Sequence, residues 1–266
     1  MSESVRTVVI TGGGGGIGRA TARRFASAGD RVFVGDLAFS ETVKDELQSA
    51  GVACETLDVT NVTALSEFVD RAAEQTGRLD VLVNNAGVGL VRQAPDVIEE
   101  EWDHVLDTNL KAPFFGSSAA IRRMQQQESG GAIVNIASNA GITPRTHDPV
   151  YSISKMALVG LTKSLALCHA QDRIRINCVC PGPVSGTQLI QENFETGEDA
   201  DVIVQRLIAA SPLARAWGRM MTPAEIADCV YFLSSDEACM VTGTAIAIDG
   251  GKSLGVPPMG TGGRTA

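Results

Sequence analysis

The stretch TGGGGGIG at residues 11–18 lies between a short β-branched run and an amphipathic segment, and it decides the fold. Because glycine has no Cβ, such a loop can turn tightly and approach a pyrophosphate, whose charge is met by the N–H groups and dipole of a following helix. The pattern Gly-x-Gly-x-x-Gly fits Gly13, Gly15 and Gly18, although five consecutive glycines match several registers. Strand, loop and helix together predict a dinucleotide-binding unit, with a flexible turn as the alternative.

A carboxylate follows at the end of the second β-branched run. Asp36 lies 18 residues beyond Gly18, where it can accept hydrogen bonds from the hydroxyls of an adenosine ribose. A ribose 2′-phosphate would be repelled there, and neither arginine nor lysine stands in the glycine loop or directly after Asp36. The sequence therefore favours NAD over NADP, and an ordinary turn residue is the alternative reading of Asp36.

Short β-branched runs alternate with amphipathic helical segments along the rest of the chain. Such alternation predicts crossover units and a parallel sheet covered by helices. We therefore expect an α/β fold with a single Rossmann-type, doubly wound, seven-stranded parallel sheet and helices on both faces. The predicted strands are residues 8–10, 32–34, 52–57, 81–83, 133–136, 174–179 and 245–248.

Two regions depart from this alternation. Residues 181–222 contain no convincing strand, only helical patterns near residues 188–194 and 200–210, and a strandless insert of this length is typical of a segment that covers a binding site. We expect a substrate lid at about residues 183–222 within a single domain of residues 1–254. The Gly- and Pro-rich residues 255–266 form a predicted tail outside the core.

The balance of charged residues limits the classes of partner that we expect the chain to bind. The chain has 266 residues, with 22 basic and 31 acidic side chains and a formal net charge of −9. This balance argues against nucleic acid or an anionic membrane surface and favours small molecules. The start of the sequence lacks a signal-peptide pattern, and no apolar stretch is long enough to suggest a membrane span. We expect a cytoplasmic protein.

The cysteines and histidines suggest neither disulfides nor a metal site. Six cysteines lie mostly within apolar segments and form no Cys-x-x-Cys pair, which favours buried reduced thiols. Three histidines are far apart in the sequence and lack metal-motif spacing. We predict no bound metal.

Tyr151 and Lys155 lie four residues apart in a predicted helix, which places the phenol and the ammonium on one face. A free tyrosine titrates near pKa 10, whereas a useful general base titrates nearer the working pH. A positive charge at about 4 Å offers about 4 kcal/mol, or about three pKa units. One lysine is enough in principle, although such pairs also occur on ordinary solvated helices.

The motifs together resemble the short-chain dehydrogenase/reductase family, over nearly the whole chain from Val5 to Gly251. Their order and spacing are more specific than any one motif. The resemblance rests on Thr11-Gly12-x-x-x-Gly16-x-Gly18, Asp58-Val59, Asn84-Asn85-Ala86-Gly87, Asn109, Ser138, Tyr151-x-x-x-Lys155, Pro181-Gly182 and Asp249-Gly250-Gly251.

The resemblance implies catalytic roles for four of these residues. Tyr151 would be the general acid/base, and Ser138 would orient and polarise the substrate oxygen. Lys155 would hold the nicotinamide ribose and lower the pKa of Tyr151, while Asn109 would support a water-linked proton relay behind Lys155. A turn hydroxyl and a helix-kinking polar residue are the structural alternatives for Ser138 and Asn109.

The resemblance also implies an NAD site. One departure concerns the threonine that the family places four positions after the glycine of Pro-Gly: here that position is Gly186, and either a one-residue bulge brings Thr187 into place or Ser185 substitutes for it. The expected cofactor-binding residues are Gly12, Gly15, Gly16, Ile17, Gly18, Asp36, Leu37, Asp58, Val59, Asn85, Ala86, Gly87, Tyr151, Lys155, Pro181, Gly182, Val184 and Thr187.

The implied activity is the NAD(H)-dependent interconversion of a secondary alcohol and a ketone. A non-catalytic NAD(H)-binding sensor of the same fold and a reductase of 3-oxoacyl thioesters are the alternatives.

Arg145 and His147 are candidates for binding a polar or anionic substrate group, and a solvated pair of Arg145 with Asp148 is the competing reading. Trp217, Met220 and Met221 either form an apolar wall of the substrate pocket or simply pack within the lid. The resemblance implies a homotetramer or homodimer.

Overall fold

A computed structural model describes residues 5–187 and 199–255 of the chain. Its seven strands form one parallel sheet in the order β3-β2-β1-β4-β5-β6-β7. The predicted fold class and all seven predicted strands are confirmed. The strands are β1 (Thr7–Thr11), β2 (Arg31–Asp36), β3 (Ala53–Thr56), β4 (Val81–Asn84), β5 (Gly131–Ile136), β6 (Ile174–Pro181) and β7 (Ala245–Ile248).

The strand order determines where a ligand-binding site is expected. The chain begins at the centre of the sheet, builds outward from β1 to β3, and then crosses back so that β4 pairs with β1 on its other side. Loops leaving β1 and β4 therefore run in opposite directions, and ligands of open parallel sheets bind at this switch point, beyond the carboxyl ends of the strands.

Helices cover both faces of the sheet because alternate strand residues point to opposite sides. Val9 contributes to the core beneath helices α3 and α5, whereas Val8 and Ile10 contribute to the core beneath α1, α2 and α9. The described helices are α1 (Gly16–Ser27), α2 (Glu41–Ser49), α3 (Val62–Thr76), α4 (Glu99–Leu106), α5 (Ala112–Met124), α6 (Pro149–His169), α7 (Ala200–Ala209), α8 (Pro212–Trp217) and α9 (Pro223–Leu233).

The segment after β6 contains short helices and one isolated parallel bridge, between Val184 and Met221. The helical pattern predicted at residues 200–210 is α7, and the one predicted at residues 188–194 lies outside the described residues. Residues 256–266 of the predicted tail also lie outside them. Within the described ranges, no helix has both the length and the apolarity that a bilayer crossing needs.

Candidate active site

A cleft of about 540 Å³ opens at the carboxyl ends of the central strands, and the glycine loop forms one end of it. Helix α1 begins at Gly16, and its N-cap residue, Gly15, offers no side chain to the first-turn N–H groups. Gly12, with φ of 67°, adopts the left-handed region that favours glycine. The uncapped helix start therefore presents free N–H donors and a positive dipole end to the cleft.

Gly18 differs from the other glycines predicted to contact the cofactor. A Cβ added there would lie 2.1 Å from the carbonyl oxygen of Gly12, so only glycine lets α1 pack against the end of β1. Gly18 does not line the cleft, whereas Gly12, Gly15, Gly16 and Ile17 do. Its role is thus to position the loop.

Asp36 ends β2 at the mouth of the cleft. One carboxylate oxygen accepts a hydrogen bond of 2.8 Å from the backbone N–H of Gly14, which ties the acid to the glycine loop. Leu37 and Val59 also line the cleft. Asp58 does not: its Oδ1 accepts from both the N–H and the hydroxyl of Thr60. Val59 therefore lines the cleft and Asp58 does not, and contacts of either residue with an adenine stay predictions.

Two asparagines fix the loop after β4. Asn85 donates through Nδ2 to the carbonyl oxygens of Thr11 and Gly12, at 3.0 and 2.7 Å, and so joins β4 to the glycine loop. Asn84 donates to the buried Oδ1 of Asn135 at 2.8 Å. These bonds hold Asn85 and the next two residues against the middle of the cleft. The lining residues here are Asn85, Ala86 and Gly87.

Ser138, Tyr151 and Lys155 meet at the other end of the cleft. Ser138 follows β5, and its Oγ accepts from the N–H of Ala140 at 3.1 Å. Tyr151 and Lys155 lie one turn apart in α6, each with about 4% of its surface exposed. Lys155 donates through Nζ to the carbonyl oxygen of Ile136 at 3.0 Å. The predicted serine, tyrosine and lysine therefore face one space.

Burial controls the titration of the tyrosine and lysine. It lowers the pKa of Lys155 to about 8, because a buried ammonium loses its hydration. It also raises the pKa of the Tyr151 phenol, and the largest opposing influence is the guanidinium of Arg145, 4.7 Å from the ring centroid. Arg145 and a hydrogen bond with Ser138 are the groups that oppose this rise, and the lowering of the Tyr151 pKa by Lys155 stays a prediction.

Asn109 lies in a π-helical turn, Asp107–Lys111, between α4 and α5. Its side chain exchanges two hydrogen bonds of 2.9 Å with the backbone of Val88 and donates to the Ser154 hydroxyl at 3.1 Å. A Cβ on Gly87 would lie 3.1 Å from Asn109 Oδ1 and 3.2 Å from Lys155 Nζ. Asn109 therefore lies behind the cleft, close to Lys155, and holds the adjoining wall.

A one-residue bulge brings Thr187 into the cleft, although this threonine comes one position later in the sequence than the family pattern places it. Gly186 has a left-handed φ of 68°, so the chain turns at this extra residue and Thr187 lines the cleft beside Gly16. Ser185 instead donates to the carbonyl oxygen of Met221 at 3.1 Å. Between the two alternatives, the geometry favours Thr187. Pro181, Gly182 and Val184 also line the cleft, as expected.

Besides Lys155, three charged residues line the Tyr151 end: Arg145, Asp148 and Lys252. Arg145 forms an ion pair of 3.2 Å with the buried carboxylate of Asp148, which also accepts from Ser152. The pairing of Arg145 with Asp148 is thus confirmed, but it lies in the cleft and is not simply solvated. His147 and Trp217 do not line the cleft, and Trp217 is 71% exposed.

Sequence reasoning missed Lys252, because no recognised spacing connects it to Tyr151. Its only signal was its position directly after Asp249-Gly250-Gly251. Metal ligation has no support in the ranges that the structure describes, where no group of three or more His, Cys, Asp or Glu side chains is arranged to hold an ion.

Known proteins resemble the chain over most of its length. The family model for short chain dehydrogenases matches residues 6–198. An uncharacterised oxidoreductase of Thermotoga maritima is 35% identical over 95% of this chain and 99% of its own. A 4-formylbenzenesulfonate dehydrogenase of Comamonas testosteroni is 36% identical, over 96% of this chain and all of its own.

A solved structure gives the same result. The ligand-free aldohexose dehydrogenase of Thermoplasma acidophilum superimposes with a TM-score of 0.86 and 32% identity, covering 97% of this chain and 98% of that one. The fold, the ordered motifs and these similarities agree, and the chain therefore belongs to the short-chain dehydrogenase/reductase family of oxidoreductases.

Proposed function

We propose that this chain is an NAD(H)-dependent oxidoreductase that interconverts a secondary alcohol and a ketone. The observation that carries the proposal is one continuous cleft, with the glycine loop and Asp36 at one end and Ser138, Tyr151 and Lys155 at the other. Membership of an oxidoreductase family supports the reaction class, and similarity to proteins named as dehydrogenases agrees with it.

The cleft fits a nicotinamide dinucleotide. The uncapped start of α1 can receive a pyrophosphate, and a Cβ on Gly15 would meet no atom within 4 Å, so space remains for a ligand against this backbone. The Asp36 carboxylate can accept from ribose hydroxyls and would repel a 2′-phosphate, which favours NAD. When bound, the nicotinamide supplies the hydride acceptor or donor. Thr187 and Lys155 are the side chains that we propose for its amide and ribose.

Tyr151 is the proposed general acid/base. During ketone reduction its phenol donates a proton to the substrate oxygen, and during alcohol oxidation its phenolate accepts that proton. Ser138 donates a hydrogen bond to the same oxygen and polarises it. Lys155 adds positive charge beneath this group, and Asn109 fixes the wall behind it.

The titration of Tyr151 sets a pH dependence. Because burial raises its pKa, the phenol keeps its proton at neutral pH, which suits the reductive direction. The rate of ketone reduction should fall, and the rate of alcohol oxidation should rise, as the pH increases through the pKa of Tyr151 in the ternary complex. Opposite slopes in the two directions would support one shared acid/base group.

The test is turnover with each cofactor offered separately. NADH formation would be followed spectroscopically across secondary alcohols, sugars and hydroxyacyl thioesters, and NADH consumption across the matching ketones. Oxidation of a simple secondary alcohol with NAD supports the proposal, whereas activity confined to thioesters supports the 3-oxoacyl reductase alternative. Tight NADH binding without turnover of any compound would favour the sensor, and a marked NADP preference would contradict our interpretation of Asp36.

We also propose one domain over residues 1–254, with residues 183–222 as the lid and a homo-oligomer as the working form. The lid assignment has support from Val184, Thr187 and Leu207, which line the cleft. Helices α5 and α6 expose apolar side chains, among them Phe114, Ile153 and Leu167, suited to burial between subunits. Light scattering should give a dimer or tetramer, and a clean monomer would contradict the oligomer.

A further inference from the structure

Lys252 is a pocket residue with a fixed backbone. It begins a short turn, Lys252–Leu254, directly after Gly251, whose φ of 84° is left-handed. The buried carboxylate of Asp249 holds this turn by accepting from the N–H groups of Gly251 and Ser253, each at 2.8 Å. The turn thus places Lys252 in the wall of the same cleft as Tyr151.

The charges around Lys252 are already committed to other groups. Asp249 accepts from two backbone N–H groups, and Asp148 accepts from Arg145 and Ser152. The half-buried ammonium of Lys252 has neither an ion pair nor a hydrogen bond to any residue that the structure describes. Asp249 and Asp148 attract Lys252 without forming an ion pair or a hydrogen bond with it, so all three ammonium donors remain available to a negatively charged ligand.

A second cation strengthens this feature. Burial and then the nearby guanidinium of Arg145 lower the pKa of Lys252, and together they outweigh the opposing influence of the Asp249 and Asp148 carboxylates. The positive charges of Arg145 and Lys252 therefore repel one another at this end of the cleft. Two cations that converge on one space form a site for an anion, which relieves their repulsion and provides hydrogen-bond acceptors.

We propose that Lys252 is a specificity-determining residue that binds a compact anionic group of the substrate, a carboxylate or a sulfonate, with Arg145 adding positive potential. The proposal deepens the proposed function and rests on it, because Tyr151 defines where the reacting carbon lies. We do not expect Lys252 to bind the pyrophosphate of the cofactor. The charged neighbours of Lys252 are Arg145, Asp148 and Asp249, whereas the uncapped start of α1 lies beside Asp36.

Binding tests this assignment without turnover. Three keto acids of increasing length (acetoacetate, levulinate and 4-acetylbenzoate) would each be paired with the neutral primary amide of the same acid. Each compound is titrated calorimetrically into the full-length protein with saturating NAD, in which a ketone cannot react, and again without NAD. The variants are Lys252→Met, which removes the charge at similar volume, and Lys252→Arg, which keeps it. Lys163→Met on the exposed face of α6 is the matched control.

We expect the wild-type protein to bind at least one acid about tenfold or more tightly than its amide, since one charge-assisted contact is worth about that much. Lys252→Met should bring this ratio close to one, whereas Lys252→Arg and Lys163→Met should keep it. Equal binding of every acid and amide in the wild type, or an unchanged ratio in Lys252→Met, would overturn the proposal.

Two further outcomes separate this inference from the proposed function. If Lys252→Met weakens NAD binding and leaves the acid-to-amide ratio intact, Lys252 serves the cofactor and the inference is wrong. If the wild type does not bind NAD but still prefers the acids through Lys252, the anion site stands and the proposed function fails.

Discussion

The two ends of the cleft differ in the chemical groups that line them. The end at which we propose that the nucleotide binds is lined mainly by backbone groups and small residues at the ends of neighbouring strands, and Asp36 is the one charged side chain that the described residues place there. The proposed substrate end is lined by Ser138, Tyr151 and Lys155 and by charged side chains from segments far apart in the sequence: Arg145 and Asp148 before α6, and Lys252 after β7. We therefore expect the sheet topology to determine the nucleotide end, and individual side chains to determine the chemistry and selectivity of the substrate end.

The largest effect is expected at the substrate end, at Tyr151. Tyr151→Phe removes only the phenolic oxygen, so kcat/KM should fall about 10³-fold, the usual contribution of a general acid/base, while the affinity for NADH stays within a few fold. Tyr231→Phe is the matched control, because it removes the same atom from the only other tyrosine. Equal losses in both variants would mean that the oxygen of Tyr151 has no special role.

A stability measurement separates function from folding at this end. Lowering the pKa of Lys155 from 10.5 to about 8 costs the folded state about 3 kcal/mol at neutral pH, and its hydrogen bond to Ile136 offsets about 1 kcal/mol. Lys155→Met should therefore abolish turnover yet raise the free energy of unfolding by about 2 kcal/mol at pH 7.

This gain should shrink as the pH rises from 8 towards 10.5, because in that interval the unfolded chain binds more protons than the folded one and the wild type becomes more stable. Urea unfolding of Lys155→Met, the wild type and Lys163→Met at pH 7 and pH 9.5 measures it. A variant less stable than the wild type at pH 7 would show that Lys155 stabilises the fold.

Cofactor choice tests the nucleotide end. Asp36→Asn keeps the size of the side chain and an oxygen for the Gly14 N–H but removes the negative charge. The ratio of kcat/KM for NAD to that for NADP should fall about tenfold or more, since a like-charge repulsion is relieved. Asp58→Asn is the control and should change the ratio little, because Asp58 is bonded to Thr60 and does not line the cleft. Equal shifts in both variants would contradict this distinction.

The smallest effect concerns the bulge at Gly186. Thr187→Val removes a hydroxyl in the cleft, and the affinity for NADH should fall about fivefold, the value of one neutral hydrogen bond. Both hydroxyls donate to a backbone carbonyl oxygen, Thr187 to Val184 and Ser185 to Met221, but Thr187 lines the cleft and Ser185 does not, so Ser185→Ala should have less effect. Fluorescence titration with NADH compares the two, and a larger loss in Ser185→Ala would reverse the assignment.

The difference between the two ends also explains what the sequence could predict. The nucleotide end follows from local patterns, because Gly12 directly follows β1 and Asp36 ends β2, and the alternation of strands and helices predicts the parallel sheet to which both strands belong. Four-residue spacing places Tyr151 and Lys155 on one helix face, and the order of the surrounding motifs, which resembles the family pattern, is what predicts their roles. These features depend on short stretches of chain and on topology.

The remaining features depend on tertiary contacts that no spacing encodes. Asp58 fits the family pattern, yet it does not line the cleft, and its carboxylate accepts hydrogen bonds from the N–H and the hydroxyl of Thr60. Arg145 affects the pKa of Tyr151 because the loop before α6 brings its guanidinium to 4.7 Å from the centroid of the Tyr151 ring. Lys252 reaches the same space only after β7 has joined the sheet edge.

Isotope transfer tests the central claim most directly. Secondary alcohols carrying deuterium on the carbinol carbon would be incubated with the protein and NAD, and the reduced cofactor would be analysed by mass spectrometry. If the cleft aligns the alcohol carbon with the nicotinamide, the reduced cofactor gains one deuterium, and Tyr151→Phe slows its appearance. Reduced cofactor without deuterium, or bound NAD that no alcohol reduces, would contradict the account.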